Sequence, residues 1–207
     1  FRLIQSELGS RPDFARLYDV QVEKPPYFLE SEYVENGNLS QWVERRGGIA
    51  DWPLESRLKF LAGVARAVAA AHSLGIIHKD LKPSNVFVTM RDGEPQPLLA
   101  DFGIGILADR SRLGAITETG FTESIMVAND SSRTGTRLYS PPEAQVGKPA
   151  TTGTDVYALG VMLFQLVAGD LHRPLGTGWE QACSTLGGEC AAFLVEDITA
   201  ATYYDPK

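Results

Sequence analysis

The spacing of apolar residues changes character along the chain. Over residues 1–35 short apolar runs alternate with turn signals, and Phe14–Val20 and Tyr27–Val34 read as two strands around a Lys24-Pro25-Pro26 turn. Ahead of them, Leu3, Ile4 and Leu8 fit the end of a helix. Glu35-Asn36-Gly37-Asn38 is a turn suited to joining two lobes. Beyond it the period becomes helical: Leu58, Leu61, Ala65, Val68, Ala69 and His72 recur at three and four residues and make one face. Asp51-Trp52-Pro53 predicts the start of that helix, with an Asp cap and a Pro in the first turn. Gly75 closes it from the C′ position. From Val156 to Val167, Val, Leu, Met and Phe cover a helix all round, which predicts burial in a core. Residues 76–154 offer few helix-compatible stretches, and Ala108 to Thr134 is rich in Ser, Thr, Asp and Arg. Loops of such length are usually functional or disordered.

Composition narrows the field. A chain of 207 residues can hold one substantial core and a small second lobe. A formal net charge of −7 argues against a general nucleic-acid binder, which would be basic. No apolar run approaches the roughly 18–20 residues of a membrane span, and no signal peptide is visible at Phe1. Cys183 and Cys190 lack the spacing of a metal knuckle or redox pair. They read as free thiols of an intracellular, cytoplasmic protein, with a local disulfide as the alternative.

The chemistry concentrates in His78-Lys79-Asp80-Leu81-Lys82-Pro83-Ser84-Asn85, with Asp101-Phe102-Gly103 beginning sixteen residues beyond Asn85. Phosphoryl transfer from a nucleoside triphosphate needs hard oxygen ligands for magnesium. It also needs a base that orients the attacking hydroxyl and a cation that meets the charge of the moving group. Asp80, Lys82, Asn85 and Asp101 are residue types that supply these parts: a carboxylate, an ammonium, and an amide and a carboxylate for the metal. An isolated His-x-Asp is more often a turn or a surface pair, so the weight lies on the set.

The set resembles the eukaryotic-type protein kinase family, whose catalytic loop H-R-D-x-K-x-x-N is followed by D-F-G. Lys82, two residues after Asp80, is the Ser/Thr-type version. Gly135-Thr136-Arg-Leu-Tyr-Ser-Pro-Pro-Glu143 resembles the substrate-docking loop ending in A-P-E, with Pro141 for Ala. Asp155-Val-Tyr-Ala-Leu-Gly160 resembles the buried-helix motif D-V-W-x-x-G, with Tyr157 for Trp. The resemblance implies that Asp80 is the catalytic base, that Lys82 contacts the transferred phosphate, and that Asn85 and Asp101 bind Mg2+. It implies that His78 packs on Phe102 and holds the turn with Gly103, and that Thr136 bonds Asp80 and Lys82. Asp155 is implied to accept backbone N–H groups of the catalytic loop. By the same resemblance Ser31-Glu32-Tyr33-Val34 is the hinge: backbone groups of Glu32 and Val34 would meet the adenine of ATP, with Phe87 as its floor. Ser31 is then a small gatekeeper, or else an ordinary polar residue of an edge strand.

Several positions depart from the pattern. Lys79 stands where the family has an Arg that clamps a phosphorylated residue, and it keeps the charge without the bidentate fork. Looser control by phosphorylation is the expectation. Thr117, Thr119, Thr122, Ser124, Ser131, Ser132 and Thr134 are candidate phosphosites that individually read as loop hydroxyls; phosphate near Lys79 or Arg133 would order the loop. No glycine-rich loop or strand lysine precedes Phe1, Glu7 sits too close to Pro12 to be the partner glutamate, and the Arg expected to pair with Glu143 would follow Asp205-Pro206-Lys207. A fragment with little or no activity alone is therefore expected.

The implied fold is α+β and protein-kinase-like. Residues 35–207 form a mainly α-helical C-terminal lobe with the catalytic loop and activation segment. Residues 1–34 form a remnant of the N-terminal β lobe: the end of a helix, two strands and the hinge. The implied function is transfer of the ATP γ-phosphate to Ser or Thr of a protein substrate, and Arg173-Pro-Leu-Gly-Thr-Gly-Trp179-Glu resembles bacterial Ser/Thr kinases. A pseudokinase acting as a binding scaffold is the alternative. Small-molecule phosphotransferases of related fold lack the docking loop present here.

Overall fold

Two antiparallel hairpins and a body of helices account for the described residues, which in the computed structural model of the chain are 8, 11–21, 28–100, 137–184 and 188–203. The first hairpin pairs β1 (Leu17–Gln21) with β2 (Phe28–Ser31). These strands are shorter than the runs predicted, and the Lys24–Pro26 turn lies outside the described residues, as do Leu3 and Ile4. Leu8 is buried in a turn, its carbonyl accepting from the Arg11 N–H.

The second hairpin pairs β3 (Val86–Arg91) with β4 (Glu94–Leu99) around Asp92-Gly93, both at positive φ as a two-residue turn demands. It straps the first hairpin in place on both sides. Leu99 exchanges backbone bonds with Asp13 and Ala15 ahead of β1. After β2 the chain turns through Glu35–Asn38, and the Gly37 carbonyl accepts from the Val88 N–H.

Asn38 and Gln41 then form a reciprocal capping box that starts α1 (Leu39–Arg45). The long helix α2 (Leu54–Ser73) begins later than predicted. Pro53 occupies the cap position and Asp51 does not cap the helix. The reason is Trp52, which is 3% exposed and stacks edge-on between Trp42 and Phe60, so the chain around it turns into the core. Arg57 secures that turn by donating to the carbonyls of Trp52, Ala50 and Leu166. Gly75, at φ +72°, ends α2 from the C′ position as expected.

The buried residues of α2 are Phe60, Leu61, Gly63, Val64, Ala67, Val68 and Ala71. The predicted face keeps Leu61 and Val68, whereas Leu58, Ala65 and His72 are half-buried and Ala69 is exposed. The helix packs against two partners, β4 and α4 (Thr152–Ala168), and this broadens and rotates its buried sector.

A short helix α3 (Pro142–Gln145) precedes α4, the centre of the molecule. Ala158, Met162 and Leu166 of α4 join the larger core with α2, and Phe164 and Val167 join a second core. The second core adds Cys183 of α5 (Glu180–Ser184) and Leu194 and Ile198 of α6 (Gly188–Thr202). Each large apolar side chain so buried contributes about 1.5–3 kcal/mol. Val156 itself is exposed, so the all-round burial begins at Ala158. Cys183 and Cys190 are free thiols.

Candidate active site

The loop after α2 is fixed by burial at both ends, through Ile76 and Leu81. Between them lies Lys79, whose φ of +71° puts a non-glycine residue in the left-handed region. Such a conformation persists only where its surroundings over-determine it. Asp155, in the first turn of α4 and 1% exposed, does this. Its Oδ2 accepts from the His78 N–H and its Oδ1 from the Lys79 N–H, each at 2.8 Å. The helix N-terminus favours the carboxylate there. His72 Nε2 completes the set at 2.7 Å from Oδ2. His78 is buried and donates from Nε2 to the Ala100 carbonyl at 3.0 Å.

Asp80, next in the chain, is partly open to solvent. Its Oδ2 lies 2.8 Å from Lys82 Nζ and accepts from Asn85 Nδ2 at 3.1 Å. The same Nδ2 donates to the Asp80 carbonyl at 2.7 Å. Asn85 belongs to a 3-10 turn (Pro83–Asn85) that leads straight into β3. Nδ2 is engaged in these bonds, and the amide oxygen, which accepts from Ser84 Oγ at 3.5 Å, is a hard donor of the kind magnesium takes. The donor chemistry of this residue therefore fits Mg2+.

Ser31, Glu32, Val34 and Phe87 line one open cavity of about 880 Å³, with Gln41, Glu44 and Arg45 of α1 at its side. The Glu32 N–H is bonded to the Arg16 carbonyl, and the Val34 carbonyl accepts from the Gly37 N–H. Among the described residues the Glu32 carbonyl and the Val34 N–H have no partner, so one acceptor and one donor remain for a ligand edge. Phe87 sits two residues beyond Asn85, which links this cavity to the Asp80 cluster through β3.

Glu143 is half-buried on α3 and its charge, after burial itself, raises the pKa of Tyr157. Tyr139 just ahead of α3 hydrogen-bonds through its hydroxyl to Gln165 Oε1 at 2.8 Å, and Gln165 Nε2 donates to the Arg173 carbonyl. Burial pushes the Tyr139 phenol up to about 12, and the bond to Gln165 opposes that shift.

Asp101, Phe102, Gly103 and Thr136 lie outside the described residues. So do the hydroxyls from Thr117 to Thr134, Arg133, Glu7 and Asp205–Lys207. His72 and Gln165 carry polar contacts that the apolar pattern hid. A polar side chain on an apolar helix face, buried like Gln165 or half-buried like His72, needs a partner, and that requirement is the signal that marks both.

The protein kinase domain family matches residues 4–185. The chain is 33% identical to serine/threonine-protein kinase PkaA of Streptomyces coelicolor, over 82% of this chain and 28% of that protein. It is 36% identical to serine/threonine-protein kinase pkn3 of Myxococcus xanthus, over 72% of this chain and 25% of the relative. The chain thus spans about a quarter of the length of these curated relatives. Among solved structures, the kinase domain of Mycobacterium tuberculosis PknI shares the fold, with a TM-score of 0.63 at 24% identity over 99% of this chain and 71% of that one. With the family matched across most of its length and the fold shared, the chain belongs to the protein kinase domain family.

Proposed function

We propose that the chain carries the nucleotide-handling and substrate-handling part of a protein Ser/Thr kinase, which moves the γ-phosphate of ATP to Ser or Thr of a protein. The observation that carries this reading is the cluster in which Asp80 holds Lys82 at 2.8 Å and Asn85 at 3.1 Å beside a buried, braced loop. In the proposed step the substrate hydroxyl donates its proton toward Asp80 as its oxygen bonds to the γ-phosphorus, and the bond to the β-phosphate oxygen breaks. Lys82 meets the charge of the moving phosphoryl group. Asn85 and Asp101 would hold Mg2+, which neutralises phosphate charge when bound. The Glu32 carbonyl and Val34 N–H would take the adenine edge, with Phe87 beneath the ring. Docking of the protein substrate is assigned to the segment ending at Glu143. Among the described residues no helix is long and apolar enough to cross a membrane.

The test is incubation of the full-length protein with magnesium, γ-labelled ATP and a mixed protein substrate, followed by phosphoamino-acid analysis. Label on serine and threonine is the expected result. ATP bound with no label transferred would replace this reading with a nucleotide-binding scaffold.

A further inference from the structure

We infer that Arg45 is a positioning residue for nucleotide binding: its guanidinium ties the last turn of α1 to the turn after β2 and keeps the Val34 edge in register for the base. The inference rests on the proposed function, which gives the Glu32 carbonyl and the Val34 N–H to adenine, and it adds the group that holds them.

Every residue from Ser31 to Glu35 lines the cavity, so this backbone has open space on one side. Its two ends are fixed. At one end the Glu32 N–H donates to the Arg16 carbonyl at 2.7 Å, and the Glu32 carboxylate accepts from the Arg16 N–H at 3.2 Å. At the other the Gly37 carbonyl accepts from the Val88 N–H at 2.9 Å. Between these anchors the Val34 carbonyl accepts from the Gly37 N–H, a bond within the turn itself. Among the described residues, the one further hydrogen bond to residues 33–36 comes from Arg45, whose Nη2 donates to the Asn36 carbonyl.

Arg45 is built to act as that tether. Its Nε donates to the Gln41 carbonyl at 3.2 Å, one turn back in its own helix, so the guanidinium bridges two carbonyls. A planar fork of donors can make both bonds at once, whereas an ammonium is a point charge on a flexible stem. The helix supplies a fixed base, since Leu39, Trp42 and Val43 are buried and the Asn38–Gln41 capping box closes its start. Gly37 shows independently how closely α1 meets the turn. At φ +67°, a Cβ there would stand 2.7 Å from Arg45 Nη2 and would also overlap Gln41 Oε1. The absence of a side chain at Gly37 therefore leaves the space that Arg45 and Gln41 occupy.

The consequence falls on Val34, two residues before Asn36. With the Asn36 carbonyl released, the peptides of the turn can rotate, and the Val34 N–H samples orientations that miss the base. If the competent orientation falls to ~10–30% of the population, the apparent affinity falls by ~3–10-fold. Arg45 bonds none of Asp80, Lys82 and Asn85, so transfer at saturating nucleotide should be spared.

The experiment compares the full-length protein with Arg45→Met, which keeps the stem and removes the donors, and Arg45→Lys, which keeps the charge without the fork. Kd is measured for ATP and for inosine triphosphate, whose ring reverses the donor and acceptor that adenine offers to Glu32 and Val34. In Arg45→Met the Kd for ATP should rise by ~3–10-fold, the preference for ATP over inosine triphosphate should shrink, and kcat at saturating ATP should stay unchanged. Amide hydrogen exchange at Gly37 should quicken while Val88 keeps its protection. Arg45→Lys should recover only part of the loss. An unchanged Kd and unchanged Gly37 exchange in Arg45→Met would overturn the inference. Equal losses for the two nucleotides with a lowered melting temperature would also overturn it, because they mark general destabilisation. Full recovery in Arg45→Lys would assign the effect to charge alone and refute the bridge. If the unmodified protein binds no ATP, the proposed function fails; the exchange measurement then decides alone, and unaltered exchange at Gly37 refutes the tether.

Discussion

Asp80 is held by Lys82 and Asn85 at its carboxylate and by Lys79 through the chain, so its geometry belongs to a group of side chains. Only its Oδ2 is engaged in these contacts, and in the proposed function Oδ1 meets the substrate hydroxyl. Tyr139 and Gln165 make a second such group, and here burial sets the protonation state. A phenol raised from its ordinary 10 to about 12 keeps its proton more tightly in the folded chain. Its contribution to stability is complete below the unfolded pKa near 10 and is lost as pH rises through about 12. Tyr139→Phe removes the titrating group and leaves Gln165 Oε1 without its donor. The variant should be less stable near neutrality by about 1–2 kcal/mol. Between pH 10 and 12 the parent should then lose on the order of 2 kcal/mol more than the variant. Denaturant titrations at both pH values check this; parallel losses in the two proteins would refute it.

Among the helices, α4 decides most of the packing because it is buried against α2 on one side and α5 and α6 on another. Gly160 sets its distance from α6. A Cβ there would stand 2.7 Å from Thr202 Cγ2 and 2.8 Å from Ala201 Cβ, closer than carbon atoms pack. The Thr202 side chain can turn aside, but Ala201 can retreat only if the helix backbone moves. Gly160→Ala gains about 1 kcal/mol in helix propensity and loses ~1–3 kcal/mol to overpacking. A lower denaturation midpoint with an unchanged m-value is expected; a raised midpoint would show that α6 yields freely.

Elements with strong local signals were legible from the chain alone. Gly75 marked the end of α2, and the apolar run to Val167 marked a buried α4. The β3–β4 hairpin is not predicted by the pattern although Asp92-Gly93 is a strong turn signal, because Pro95 and Pro97 count against a strand. Pro97 is tolerated at the contact with α2, where Gly63 leaves room for its ring. The buried face of α2 differs from the predicted stripe because it serves two partners, and a single stripe describes a helix with one. In the candidate site, the Asp80, Lys82 and Asn85 cluster was legible as a motif whose short spacing already confines it to one loop. His72 was not, since its partner Asp155 is 83 residues away in the chain. Long-range polar pairs leave no periodic trace.

The hairpins and α1 shape a cavity whose edge presents an acceptor and a donor unpaired among the described residues, and β3 joins it to a loop braced by α2 and α4. In the proposed function that arrangement serves phosphoryl transfer between a bound nucleotide and a docked hydroxyl, with Asp80 as its pivot. The most direct measurement is single-turnover transfer from γ-labelled ATP by the full-length protein beside Asp80→Asn, with the ATP Kd of each determined separately. The account predicts an unchanged Kd and a transfer rate lower by ~10²–10⁴-fold, the contribution of a positioned base. Equal transfer rates in the two proteins would contradict it.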